Sequence, residues 1–267
     1  MEFIKIYPSF SYAISNSTTT AGIISSASIA ENTVDTEKYQ ENTISLSAYK
    51  SNLFKENSSL YLIAGINGNE VEGIYVLDQL YKWMQAEQLL ELPIIVIPIL
   101  NIEGYYAGIK ENSQGLLLDS SFPIHWNHPQ APTRITEVEF IQELFESYPP
   151  LIVFTFRTAS FPSPVSLGSQ SAKIISSKGS REFAEFFIKY NEYSLSDWKE
   201  NEHRKSLGEA SVGSFGGTLE GYAANFFSAD ILSFHLPKMN RNLSLKEIWS
   251  KNETAFKNFL IGQRFGR

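Results

Sequence analysis

The chain has 267 residues, 43% hydrophobic and 19% charged, with a formal net charge of −7. This is enough apolar material for a buried core, and the acidic balance excludes a nucleic-acid surface, since the longest basic run is "HRK" at 203–205. The absence of cysteine excludes disulfides, thiolate metal sites and cysteine nucleophiles together.

Residues 1–57 are rich in Ser, Thr and Asn and weakly periodic, and "TTTAGIISSASIA" reads either as a strand pair or as a partly ordered arm. The N-terminus has no sustained apolar segment, and no apolar run approaches the roughly 18 residues of a membrane helix. The expectation is a soluble cytoplasmic protein without a signal peptide.

From residue 60 the pattern sharpens. Short β-branched or aromatic runs predict strands at 60–66, 94–100, 151–157, 172–176 and 230–236. Between them the spacing predicts helices at 70–90, 136–148, 180–191 and 244–261. Ser180 is placed to cap the third helix, and Ser244 with Glu247 forms a capping box for the fourth. Strands alternating with helices of this length predict an α/β fold, a mixed twisted sheet with helices on both faces. No internal linker or repeat interrupts it, so residues 1–267 read as one domain with its core at 58–262. Chemistry in such sheets gathers at the C-terminal ends of strands. Those ends carry "GINGNE", "LNIEG", "FRTAS" and "SFHLP".

Six segments taken in order, "GINGNEVEG" (65–73), "PILNIEG" (98–104), "GLLLDSSFP" (115–123), "FTFRTAS" (154–160), "GSFG" (213–216) and "SFHLP" (233–237), resemble the motif series of the zinc carboxypeptidases. The likeness is strongest to their murein peptide amidase-like group. It covers roughly residues 60–260 and is carried by scaffold positions, among them Gly65, Gly68, Gly73, Pro98, Asn101, Gly104, Gly115, Pro123 and Pro237. The resemblance implies a carboxypeptidase-like α/β fold and, in an active relative, a zinc ion held by two His and one Glu.

At the positions that the resemblance assigns to those ligands, this chain has Asn67, Glu70 and Arg157. An amide oxygen is a poor zinc donor, and a guanidinium has no lone pair to give. The position of the water-activating Glu holds His235. The Asn-Arg carboxylate clamp becomes Asp119 and Ser120, and the oxyanion Arg becomes Lys110, while Asn101 is retained. The expectation is therefore a chain without zinc or other cofactor, whose old cleft is lined by Asn67, Glu70, Asn101, Lys110, Asp119, Ser120, Arg157 and His235.

Several residues carry more than one reading. Glu70 is a leftover ligand, a helix N-terminal carboxylate or an ion-pair partner. Asn67 reads as a turn residue suited to left-handed dihedrals. Arg157 either reaches solvent at the strand end or fills the old metal position, where it would pair with Glu70, with the Asn67 amide completing the hydrogen bonds and His235 facing the same pocket. His235 is a packed neutral histidine or a pocket residue. "HWNH" at 125–128 and His203 read as surface features rather than metal ligands.

The functional expectation is a catalytically inactive relative that binds a peptide or cell-wall fragment (a muropeptide), or that regulates. An anionic ligand would meet Arg157 and Lys110. The alternative is an active hydrolase, either a metallocarboxypeptidase or amidase with rewired ligands or a Ser–His enzyme. The Ser–His form would draw on His235, Ser233, Ser120, Ser121 and Thr158, oriented by Asp119 or Glu70.

Overall fold

A computed structural model describes residues 4–6, 46–51, 59–87, 93–124, 134–159, 172–177, 179–190, 193–197, 217–240 and 243–265. The N-terminal segment "TTTAGIISSASIA", the "HWNH" and "GSFG" motifs and His203 lie outside them.

The framework is one eight-stranded mixed sheet among the described residues, in the order β1-β2-β4-β3-β5-β8-β6-β7. The strands are β1 (Ile4–Ile6), β2 (Ala48–Lys50), β3 (Ser59–Ala64), β4 (Ile94–Ile97), β5 (Pro150–Thr158), β6 (Ala172–Ser176), β7 (Tyr193–Asp197) and β8 (Asp230–Leu236). Strands β4, β3, β5 and β8 run parallel, which puts their C-terminal ends on one edge; β2 and β6 flank them antiparallel. The helices are α1 (Val71–Glu87), α2 (Ile102–Ala107), α3 (Thr136–Ser147), α4 (Arg181–Tyr190), α5 (Leu219–Phe227) and α6 (Leu245–Phe265). A 3₁₀ turn spans Leu118–Ser120.

The central strands are apolar on both faces because both are covered. Leu62, Ala64, Val96, Phe154, Phe156, Leu232 and Phe234 pack under α1, α4 and α6. Their alternates Tyr61, Ile63, Ile95, Ile97, Val153 and Ile231 pack under α3 and α5. Side chains alternate along a strand, so a residue's parity assigns its face. Thr155 and Arg157 follow Val153, and Ser233 and His235 follow Ile231. These four polar groups therefore lie on the α5 side.

All five predicted strands and four predicted helices form. The missed elements are short: β1, β2, β7, α2 and α5, each of three to nine residues. The Ser244–Glu247 box closes as expected, with the Glu247 amide donating to Ser244 Oγ at 3.3 Å and the Ser244 amide to Glu247 Oε2 at 2.7 Å. Ser180 directly precedes α4 and its carbonyl accepts from the Ala184 amide at 3.0 Å, while its hydroxyl donates to Ile231 O at 2.5 Å and docks the start of α4 onto β8. Among the described residues, no helix is long and apolar enough to cross a membrane.

Candidate functional site

The site is built at the common C-terminal edge of β3, β5 and β8. After β3 the chain turns through Gly65 at a positive φ of 63°, a conformation that favours glycine. The Asn101 amide donates to Gly65 O at 2.7 Å, tying this turn to the one after β4. Gly68 lies against the backbone of Gly104, and Gly73 against the carbonyl of Phe156, with no room at either for a Cβ. These contacts hold Asn67 and Glu70 beside the end of β5.

Glu70 immediately precedes α1, and its carbonyl accepts from the Ile74 amide at 3.3 Å. Its carboxylate folds back on the turn, with Oε2 accepting from the Asn67 backbone amide at 3.2 Å. Asn67 is a turn residue, its carbonyl accepting from the Glu70 amide at 3.1 Å, without a positive φ. Its side chain bridges carboxylates. Nδ2 donates to Glu70 Oε1 at 3.0 Å and to Asp119 Oδ2 at 3.0 Å.

Arg157 fills the centre, 8% exposed. Its three nitrogens serve three carboxylates: Nε to Glu70 Oε1 at 3.0 Å, Nη2 to Asp119 Oδ2 at 2.5 Å, and Nη1 to Glu220 Oε1 at 3.1 Å. Glu220 lies in the first turn of α5, where the helix dipole favours a carboxylate. The Thr218 hydroxyl caps that turn by accepting from the Gly221 amide at 2.9 Å. The 3₁₀ turn bearing Asp119 packs on Gly217, whose carbonyl accepts from the Phe122 amide at 2.9 Å. One loop contact thus places both Asp119 and Glu220 around the guanidinium. From Glu220 a hydrogen-bonded row continues through Thr155 Oγ1 (2.8 Å), Ser233 Oγ (2.9 Å) and His235 Nε2 (3.2 Å).

Three carboxylates share one buried guanidinium, and burial and these neighbours together set how the groups titrate. Burial pushes the Glu70 carboxyl above its ordinary value, helped by Asp119 and opposed by Arg157. Burial acts the same way on Asp119. There Arg157, the Asn67 amide and His235 outweigh it, so that carboxyl is held below the usual range. Burial disfavours the Arg157 cation, yet Glu70, Glu220 and Asp119 together hold its pKa well above the ordinary value.

Of the eight residues expected to line the cleft, Asn67, Glu70, Asp119 and Arg157 form one bonded cluster. His235 joins through Ser233 and through its electrostatic effect on Asp119. The other three differ. Asn101 is fully buried and structural: Oδ1 caps α2 by accepting from the Gly104 amide at 2.9 Å, and Nδ2 donates to Lys110 O at 2.9 Å. Lys110 is exposed, and its carbonyl is what ties it to this scaffold. Ser120 is exposed and donates to Leu117 O at 3.1 Å. Sequence reasoning missed Glu220. The signal is "TLEGYAANFF", a Thr cap followed by an acidic first turn and a short apolar helix.

Of the hydroxyls considered for Ser–His chemistry, Ser121 donates to Leu117 O at 2.7 Å and Thr158 to Glu72 Oε2 at 2.7 Å, while Ser233 Oγ does meet His235 Nε2 at 3.2 Å but is buried, 1% exposed. The anionic-ligand expectation also changes, because every side of the Arg157 fork already faces a carboxylate.

Comparison with solved structures gives the architecture. Murein-tripeptide amidase from Escherichia coli O157 superposes with a TM-score of 0.55 at 17% identity, over 82% of this chain and 87% of that one. The fold is that of the zinc carboxypeptidases. A metallo-carboxypeptidase from Burkholderia cenocepacia matches at TM-score 0.59 and 16% identity, covering 84% of this chain and 62% of its own. Succinylglutamate desuccinylase from Chromobacterium violaceum, at TM-score 0.56 and 16% identity, shares the fold over 80% of this chain and 63% of its own. A sequence model of the succinylglutamate desuccinylase/aspartoacylase catalytic domain matches residues 56–148. No curated protein matches by sequence.

In the carboxypeptidase fold the resemblance places a zinc ion among residues 67, 70 and 157. The donors present do not fit it. Glu70 Oε1 already accepts from Arg157 Nε and Asn67 Nδ2, and a fixed guanidinium repels a second cation at that distance. Among the described residues, no group of three or more His, Cys, Asp or Glu is arranged to hold a metal.

Proposed function

We propose that this chain is a zinc-free, non-hydrolytic protein on the carboxypeptidase fold, which binds a peptide or cell-wall peptide in the former active-site cleft. One observation carries the reading: Arg157 ends β5 where the resemblance expects a metal-binding histidine, and its guanidinium is bonded to Glu70. Asn67 and Arg157 stand where the resemblance expects the metal's histidines, and His235 where it expects the water-activating carboxylate, and this supports a reading without metal-assisted hydrolysis. The glycine contacts that hold Asn67 and Glu70 beside the end of β5 are retained, and this supports binding over loss of all function.

Metal analysis of the purified protein, together with hydrolysis assays on a γ-D-glutamyl-diaminopimelate peptide and on succinylglutamate, tests the reading. The expected result is zinc far below one equivalent and no turnover. Near-equimolar zinc surviving dialysis without chelator, or turnover lost in Asn67→Ala or His235→Ala, overturns it.

A further inference from the structure

The hydrogen-bonded row from Glu220 to His235 admits one order of protons. Arg157 Nη1 can only donate, so Glu220 Oε1 accepts from it at 3.1 Å. Thr155 Oγ1 is placed to donate to two acceptors, Glu220 Oε1 at 2.8 Å and Ser233 Oγ at 2.9 Å, but a hydroxyl has one proton. The carboxylate takes it, because a charge-assisted hydrogen bond is the stronger of the two. Given to Ser233 instead, that proton would leave lone pairs of Thr155 and Glu220 facing each other. With the Thr155 proton on Glu220, the contact between the two hydroxyls needs the proton of Ser233. Ser233 Oγ then presents only lone pairs to His235 Nε2 at 3.2 Å, so that ring nitrogen carries hydrogen. Thr155 is fully buried and Ser233 is 1% exposed, which keeps bulk water from supplying a different donor.

We infer that Glu220 is a positioning residue for His235, acting through Thr155 and Ser233 to hold Nε2 as a hydrogen-bond donor. The row joins three elements: Glu220 stands in the first turn of α5, Thr155 pairs with Ser233 across β5 and β8, and His235 follows two residues on. Two consequences bear on function. A nucleophilic serine must give its proton to a base, whereas here the imidazole gives and Ser233 Oγ receives. The Ser233–His235 contact is therefore a Ser–His pair running backwards, and His235 does not activate Ser233. Nδ1 is left as the one basic nitrogen of the ring, so any proton that His235 takes up enters there. Uptake at Nδ1 leaves the order of the row unchanged, and the assignment holds for the neutral and the charged ring alike. It goes beyond the zinc-free reading, since it stands on the row itself and not on what the cleft binds.

The test is the tautomer of His235 in protein with isotope-labelled histidine, read from long-range proton–nitrogen NMR correlations at a pH where the ring is neutral. His235→Gln assigns the signal. Histidine in water favours the Nε2–H form only modestly, so the deciding measurement is a comparison among variants. Wild type should hold Nε2–H, with the other tautomer at about a tenth or less. Thr155→Ser keeps the hydroxyl and should preserve that balance. Thr155→Val removes the acceptor of the Ser233 proton and frees that proton to turn toward Nε2. The balance should then move about tenfold toward Nδ1–H. Ser233→Ala, which removes the acceptor of the Nε2 hydrogen, should move it the same way. Predominant Nδ1–H in wild type overturns the assignment without any variant. So does an unchanged balance in a folded Thr155→Val or Ser233→Ala protein, or a shift in Thr155→Ser as large as in Thr155→Val. Covalent labelling of wild type by a fluorophosphonate, lost in Ser233→Ala, overturns it as well, because it would show Ser233 acting as an activated nucleophile. The zinc content of the same sample reads the zinc-free proposal separately.

Discussion

Arg157 Nε stands 3.0 Å from Glu70 Oε1, joining the end of β5 to the residue before α1 across 87 positions of sequence. Both side chains are buried, at 9% and 6% exposure. The pair is therefore governed by desolvation as well as by attraction, and the cost of breaking it depends on which partner is removed.

Arg157→Met leaves Glu70, Asp119 and Glu220 without a counter-charge. The expected destabilisation is about 3–5 kcal/mol. Glu70→Gln is milder, because Arg157 keeps two carboxylates and the amide oxygen still accepts from Nε. Urea unfolding of both variants checks this. A Glu70→Gln protein less stable than Arg157→Met would contradict the charge assignment.

The two carboxyls of opposite shift give opposite pH signatures. Glu70 has a folded pKa above its ordinary 4.5, so the folded state holds its proton more tightly than the unfolded state. Its contribution is fully present below 4.5 and is lost as pH rises through the folded value. The stability of wild type relative to Glu70→Gln should therefore fall across that interval and then level. Asp119 lies below its ordinary 3.8, so its contribution is present above 3.8 and is lost as pH falls through the lower folded value. Wild type relative to Asp119→Asn should gain stability as pH rises toward 3.8. Denaturation series across both windows measure the two slopes.

Asn67→His with Arg157→His places two imidazoles beside Glu70, the donor set that a structural or catalytic zinc takes. The apo double variant should be less stable than wild type, and zinc should restore it, by about 2.7 kcal/mol when free zinc is a hundred times its Kd. Wild type should show no such zinc dependence. No peptidase activity is expected of the double variant, because His235 and Ser120 stand where the resemblance expects a catalytic carboxylate and a substrate-binding arginine. Thermal melts with and without zinc, beside an assay on the muropeptide substrate, provide the check.

Gly73→Ala drives a Cβ into the Phe156 carbonyl, where α1 crosses β5. Relief requires the helix to move, and Glu70 moves with it. The expected loss is about 1–3 kcal/mol, together with weakened coupling between Arg157 and Glu70 in a double-mutant cycle. A fully stable Gly73→Ala protein would show that this contact tolerates displacement.

The sequence by itself carried the strand-and-helix alternation, because a sheet covered on both faces writes continuous apolar runs into each central strand. It also carried the turn from Gly65 to Glu70, a local feature three residues wide between Asn67 and Glu70, and the departure at residues 67 and 157 from the ligand types that the resemblance implies. The Glu70–Arg157 pair followed from these, since the strand end and the turn converge in this fold. What the sequence did not determine was the number of partners Arg157 has. Glu220 and Asp119 lie 63 and 38 positions away and reach the guanidinium because Gly217 lets the 3₁₀ turn and the start of α5 pack together. No periodicity records such a contact. Local bonds turned Asn101 inward as the cap of α2, and Lys110 and Ser120 lie at the surface. The tertiary structure alone therefore decided that three carboxylates share the Arg157 guanidinium, because the groups that meet at a buried point come from elements distant in the chain.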